Sequence, residues 1–246
     1  MARTVIVTGS SRELVHSLIR GHLLENDNII TNIPFTTAGN SGGEDNNGSS
    51  GSGSGAGSSA ETEPSSTGVL NAEVNFRSPL SVRSMILKGL NTFGELHEAL
   101  ITFSFGSETR VIHDLPLTDI EKRIDQEIKG KLFLLKELIT HFWKKQHGSI
   151  GIILHTARAS ALLPLDAAIY GSIRELTESL FTQYKNEPLS INGYESFSPN
   201  TEDFASFILK IQREKGERSK GKWFRHGDKQ GILSGLSFPR ISNPFH

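Results

Sequence analysis

The chain has 246 residues, 26 lysines and arginines against 27 aspartates and glutamates, and 36% hydrophobic residues. That is enough for a sizeable core, and near-balanced charge argues against a general affinity for nucleic acid or anionic membranes. Cysteine is absent, which excludes disulfides, zinc–thiolate sites and cysteine nucleophiles. No apolar run reaches the roughly 18–20 residues needed to span a bilayer.

Thr4–Thr8 reads as a buried strand entered at once from the N-terminus, which leaves no space for a signal peptide and points to a soluble cytoplasmic protein. A helix over Arg12–Leu24 and a strand over Ile29–Ile33 follow. From Ala38 to Gly68 the composition changes to Gly, Ser, Asn, Thr and four acids, with no Lys, Arg or large apolar residue. Such a stretch buries too little surface to offset the entropy of ordering it, so residues 38–68 are expected to be a disordered insertion within a single domain spanning 1–246. Beyond it come a strand near Val69–Phe76, a helix over Pro79–Phe93 and a strand near Ala99–Phe103. Thr118-x-x-Glu121 has the form of a capping box opening one long helix, with Ile124, Ile128, Leu132, Leu135, Ile139 and Phe142 on its apolar stripe, ended by His147-Gly148. A strand over Ile150–Leu154, a helix reaching about Tyr184, a strand over Leu189–Ile191, a helix over Glu202–Lys215 and a strand over Gly221–Arg225 complete the chain. Strand–helix alternation of this kind predicts an α/β fold, a doubly wound parallel sheet in a three-layer Rossmann-type sandwich.

In such a fold ligands sit beyond the C-terminal ends of the strands, and the first turn, here Thr8-Gly9-Ser10-Ser11-Arg12, is the natural phosphate site. Tyr170 and Arg174 stand four residues apart on one helical face, where a cation can reach a phenol oxygen and favour its ionisation. The pair is open to two readings, proton-transfer chemistry or packing alone. The nine histidines show no metal-type spacing, since His16/His22 and His141/His147 lie six apart, and no metal is expected. Eight cations between Lys210 and Lys229, with Trp223 and Phe224 among them, could meet RNA. The acids that dilute them favour a solvated helix followed by an inward-facing strand, so no nucleic-acid partner is expected.

Taken together, Thr8-Gly9, Thr92-Phe93-Gly94-Glu95-Leu96, Asp125-Gln-Glu-Ile-Lys-Gly130, the run from His147 to Ala157 and Tyr170 thirteen residues later, and Gly221-Lys-Trp-Phe-Arg-His-Gly227 resemble the short-chain dehydrogenase/reductase (SDR) family in order and spacing. The resemblance covers residue 2 to about 235 outside the insertion. It implies a Rossmann fold using NAD(H) or NADP(H), with Thr8, Gly9, Ser11, Arg12, Asn75 and Gly106 as cofactor contacts and Tyr170 and Arg174 as what remains of the catalytic group.

The departures from the family pattern are extensive. Two glycines of its T-G-x-x-x-G-x-G loop fall at Glu13 and Val15, its substrate-binding serine at Ala157, its relay asparagine at Glu127 and its lysine at Arg174. Its adenine-contacting aspartate falls at Asn75, its strand-four "NNAG" at Phe103-Ser104-Phe105-Gly106, and its "PG" after strand six at Gly193-Tyr-Glu-Ser196. Glu127 would oppose the effect of Arg174 on the tyrosine. The resemblance therefore implies a pseudoenzyme with NAD(P)(H) binding weak or lost, acting as a binding or scaffold subunit. The helices that assemble the family's oligomers are better kept than its site, which implies a homo-oligomer or a hetero-oligomer with a related subunit. The rival reading is an active NAD(P)(H)-dependent carbonyl reductase using Tyr170 and Arg174, with Thr156 or Ser160 in place of the serine.

Overall fold

The computed structural model of the protein describes residues 2–36, 68–106, 108–156, 162–215 and 219–227. The strands are β1 (Thr4–Gly9), β2 (Asn28–Thr31), β3 (Val69–Asn71), β4 (Glu98–Phe105), β5 (Ser149–Thr156), β6 (Ser190–Ser196) and β7 (Trp223–His226). They form one parallel sheet in the order β3-β2-β1-β4-β5-β6-β7. The helices are α1 (Arg12–Leu24), α2 (Pro79–Phe93), α3 (Leu117–Ile124), α4 (Gly130–Lys145), α5 (Pro164–Gln183) and α6 (Thr201–Lys215). One core packs α2, α4 and α5 against the sheet, the other α1 and α6, so the doubly wound architecture expected from the sequence is present. Parallel strands covered on both faces read as apolar runs, and β1 and β4 are buried almost throughout.

Local chemistry sets the helix starts. Ser11 caps α1 by accepting from the Leu14 amide at 3.4 Å, Ser78 caps α2 in the same way at Ser81, and Pro79 fills the first turn where its missing N–H costs nothing. The N-terminus of α6 is held by the Asn200 Oδ1, which accepts from the Glu202 and Asp203 amides at 3.1 Å each.

Four expectations from the sequence need correction. Thr118 and Glu121 form no capping box: Pro116, its φ fixed near −57°, starts the helix at Leu117, so Thr118 lies inside the first turn. The long helix is also broken into α3, a π turn over Asp125–Lys129 and α4, the Gly130 amide reaching back to the Asp125 carbonyl. At that point the chain passes so close to Phe76 that a Cβ on Gly130 would fall 2.6 Å from the Phe76 carbonyl oxygen. The extra residue shifts the helix phase, and Leu134 and Leu138, outside the expected stripe, are fully buried while Leu132 is 41% exposed. The third correction is β3, which stops at Asn71, leaving Asn75 in an exposed turn where its Oδ1 accepts from the Arg77 amide. Finally, β6 does not end at Ile191 but runs to Ser196 between β5 and β7. Of the expected insertion, only Gly68 lies among the described residues. Its amide donates to Asn28 Oδ1 at 3.2 Å and its carbonyl accepts from Ile29 at 2.9 Å.

One charge sits inside the first core. Lys131, 2% exposed, holds its ammonium 3.8 Å from the Phe76 ring centroid and 5.9 Å from that of Phe103. Burial pushes its amine down from 10.5 to about 8, with Glu127 offsetting only part of the effect. That depression corresponds to about 3 kcal/mol of penalty at neutral pH. The folded chain gives up this proton before the unfolded chain does, so through that window the unfolded state binds more protons and stability rises with pH. Lys131→Met should raise the unfolding free energy at pH 7 by about 2 kcal/mol, the lost cation–π contact subtracting from the gain. It should also flatten the rise in stability that the wild type shows between pH 8 and 10.5, as read by denaturant titration across pH.

Candidate functional site

Tyr170 and Arg174 lie on α5 facing the C-terminal half of β6, and what they meet there is a carboxylate that the sequence reading passed over. Glu195, 1% exposed, accepts the Tyr170 hydroxyl hydrogen bond on Oε1. Arg174 Nη1 donates to the same carboxylate at 3.0 and 3.3 Å, and Arg225 Nε from β7 donates to Oε2 at 2.9 Å. Strand alternation explains the placement. Ile191, Gly193 and Glu195 point to the α5 side of β6, and Asn192, Tyr194 and Ser196 to the α6 side. Gly193 allows the Trp223 ring to lie against the strand, and the Arg174 guanidinium stacks 5.3 Å from that ring. Arg174 also reaches Glu178 at 3.3 Å.

The phenol is enclosed by its own chain. Phe105 meets the Tyr170 ring edge-on at 5.4 Å and Phe197 lies 6.5 Å away. With its proton directed into a doubly ion-paired carboxylate, Tyr170 is engaged in the resting fold. Glu127, expected to oppose Arg174 at the phenol, acts on Lys131 instead, and the carboxylate that meets the phenol is Glu195. Ala157 and Ser160 lie outside the described residues. Thr156 is 1% exposed, its Oγ1 without a partner among the described residues, on the α5 side of β5 by alternation with Ile152 and Leu154.

Of the expected cofactor contacts, Thr8, Gly9, Ser11 and Gly106 are likewise engaged internally. Thr8 Oγ1 donates to Asn32 Oδ1 at 2.5 Å and the Gly9 amide donates to the same oxygen at 3.2 Å. A Cβ on Gly9 would collide with the backbone and side chain of Thr102, so this glycine is required by the β1–β4 approach whether or not a ligand binds. Ser11 is spent as the α1 cap, and Arg12 is exposed. Val15, at a family glycine position, is fully buried in the α1 core. The Gly106 amide donates to Asp166 Oδ2 at 2.8 Å, and Asp166, fully buried at the start of α5, also takes Arg123 at 2.6 Å. Asn32, Asp166 and Glu195 are the residues sequence reasoning missed. Each is an acceptor for a group that the sequence singles out, and the partners lie 21 to 60 residues apart.

Histidine spacing also missed one cluster. His22 Nδ1 lies 2.9 Å from Asp27 Oδ2, and His22, Glu25 and Asp27 bring ligand-type atoms within 4.8 Å of one another. Arg3 Nη2 already bridges the two carboxylates at 3.1 and 2.8 Å, supplying the cation that the group calls for.

No known family's sequence pattern and no curated protein sequence matches the chain. Solved structures do match it. A short chain dehydrogenase from Bacillus anthracis superposes with a TM-score of 0.68 at 11% identity, covering 95% of this chain and 98% of that one. A 3-ketoacyl-(acyl-carrier-protein) reductase from Brucella melitensis, complexed with NADH, gives 0.68 at 10% identity over 91% and 96%. An oxidoreductase of the short-chain dehydrogenase/reductase family from Brucella ovis, with a partially ordered NAD, gives 0.63 at 15% identity over 92% and 99%. The fold is that of the short-chain dehydrogenases/reductases. Among the described residues no helix is long and apolar enough to cross a membrane.

The geometry makes the carboxylate, not the phenol, the anchor of this cluster. Glu195→Gln should lower the unfolding free energy by about 2 kcal/mol. The figure is below that of a sealed ion pair because the Arg174 and Arg225 side chains, 26% and 51% exposed, recover hydration. Tyr170→Phe should cost less than about 1 kcal/mol. Chemical denaturation of both variants checks the order.

Proposed function

We propose that the protein is a degenerate relative of the short-chain dehydrogenases/reductases that does not carry out hydride transfer and serves as a soluble cytoplasmic oligomeric scaffold or binding subunit. The observation that carries this reading is the Tyr170 hydroxyl donating into Glu195 while Arg174 and Arg225 hold that carboxylate in place. A general acid must deliver its proton to substrate, and a positioned one contributes about 10²–10⁴ in rate. Here the proton and the neighbouring cation both face an internal anion. Groups acting as a unit lose nearly everything when one is withdrawn. The internal pairing of the Thr8, Gly9 and Gly106 donors supports weak or absent NAD(P)(H) binding.

Titration with NADPH and NADH by intrinsic fluorescence should give no saturation up to about 1 mM, the upper end of ordinary enzyme affinities. Saturable micromolar binding would overturn the cofactor part of the reading. The active-reductase reading has one observation in its favour, the buried Thr156 hydroxyl on the tyrosine's side of the sheet, without a partner among the described residues. It requires carbonyl reduction that Tyr170→Phe abolishes, whereas the scaffold reading expects no turnover in either protein.

The assembly part rests on α4 and α5. Leu132, Leu135, Ile139, Leu176, Leu180 and Tyr184 line an apolar groove of about 230 Å³ between them, with Leu132 41% and the neighbouring Trp143 50% exposed. A second copy, or a related subunit with the same two helices, would cover it by helix-on-helix packing. Light scattering should report at least twice the mass of one chain, and Leu176→Glu should return a folded monomer with an unchanged circular dichroism spectrum. A wild-type monomer at tens of micromolar would refute self-assembly.

A further inference from the structure

At the opposite end of the sheet from Tyr170, the strand N-termini enclose a second cavity, of about 220 Å³. Its walls come from the first residues of β4, β5 and β6, from Arg3 ahead of β1, and from the inner face of α6. One wall is aromatic, the Tyr194 and Phe224 rings stacked 5.6 Å apart at 25° with Ile211 beside them. The other is polar and centres on Glu98, 5% exposed.

Arg3, His97 and His147 also line the cavity, but the carboxylate at its centre keeps bonding capacity. Glu98 Oε1 accepts from Ser149 at 3.3 Å and from Gln212, whereas Oε2 has only the Arg3 guanidinium at 3.5 Å. That guanidinium is already shared with Glu25 and Asp27. Gln212 keeps its Oε1 buried without a partner, and the Tyr194 hydroxyl makes no hydrogen bond among the described residues. Three carboxylates (Glu25, Asp27 and Glu98) thus share Arg3, Arg213 and the His22 ring, whose Nδ1 lies 2.9 Å from Asp27. Burial pushes the Glu98 carboxyl up, and the same burial together with Glu98 pushes the Tyr194 phenol up. A cation with several N–H donors would meet the open Glu98 Oε2, and a flat apolar body would fit the aromatic wall.

We propose that this cavity binds a small planar organic cation, an amidine or aminoheterocycle, whose N–H groups bond the Glu98 carboxylate and the Tyr194 hydroxyl while its ring lies against Tyr194 and Phe224. The site is independent of Tyr170 and of any nucleotide.

Benzamidine is a suitable probe, small enough for the cavity and carrying a charged fork that matches a carboxylate. Isothermal calorimetry on the full-length protein should give one saturable site with a Kd on the order of 10⁻⁴ M, the range expected for so small a ligand. Neutral benzamide should bind at least about tenfold more weakly and benzoate not at all. Glu98→Gln should weaken benzamidine at least about tenfold and Tyr194→Phe about threefold, while Tyr170→Phe leaves it unchanged. Thermal melts of each variant confirm that the fold survives. Absence of binding to folded wild type at 10⁻² M, equal binding of benzoate, or loss of benzamidine binding in Tyr170→Phe alone would each overturn the assignment. If Tyr194→Phe and Glu98→Gln both melt early, competition of benzamidine by guanidinium but not by tetramethylammonium at equal ionic strength tests the wild-type site directly. Equal competition by the two cations would refute it.

Discussion

A parallel sheet covered by helices on both faces makes a buried carboxylate depend on its partners, and this chain puts a glutamate on each of two interior strands. Glu98 opens β4 and Glu195 lies near the end of β6, each almost fully buried. Isolated burial of either ion would be prohibitive, so each has drawn arginines from distant parts of the chain, Arg3 to the first and Arg174 with Arg225 to the second. Much of the molecule's polar architecture follows from that demand. Trp223 supports Arg174, Gln212 and Ser149 turn inward to Glu98, and β7 aligns in register so that Arg225 falls beside Glu195.

The same demand accounts for the state of the tyrosine. In a site open to substrate, a phenol and a neighbouring cation would have unspent bonding capacity. Here Glu195 takes both, and Phe105 and Phe197 fill the flanks. The first turn follows the same pattern, with Asn32 on Thr8 and Gly9 and Asp166 on Gly106. The Thr8 hydroxyl and the Gly9 and Gly106 amides are therefore satisfied by the chain itself.

The element pattern was legible in the sequence because apolar runs and capping serines are local signals. Helices α1 and α2 fall where Ser11, Ser78 and Pro79 place them. The failures were nonlocal. The π turn at Asp125–Lys129 coincides with the close passage of Gly130 by Phe76, far back along the chain, and it shifts the phase of the helix after it. The polar Gly193-Tyr-Glu-Ser196 resembled a loop, yet two parallel neighbours make it strand. Tyr170 and Arg174 could be paired from their spacing on one helix, but Glu195 could be assigned to them only once the sheet had brought β6 beneath α5.

The connection between β2 and β3 carries its own anchors. Asn71 both accepts from the Phe35 amide and donates to the Phe35 carbonyl at 3.0 Å, and Gly68 is tied to Asn28 and Ile29. The chain is thus fastened on each side of residues 37–67 by bonds that use none of them. The stretches up to residue 36 and from 68 onward are therefore joined through the sheet as well as along the chain, β1 lying between β2 and β4 and β3 beside β2.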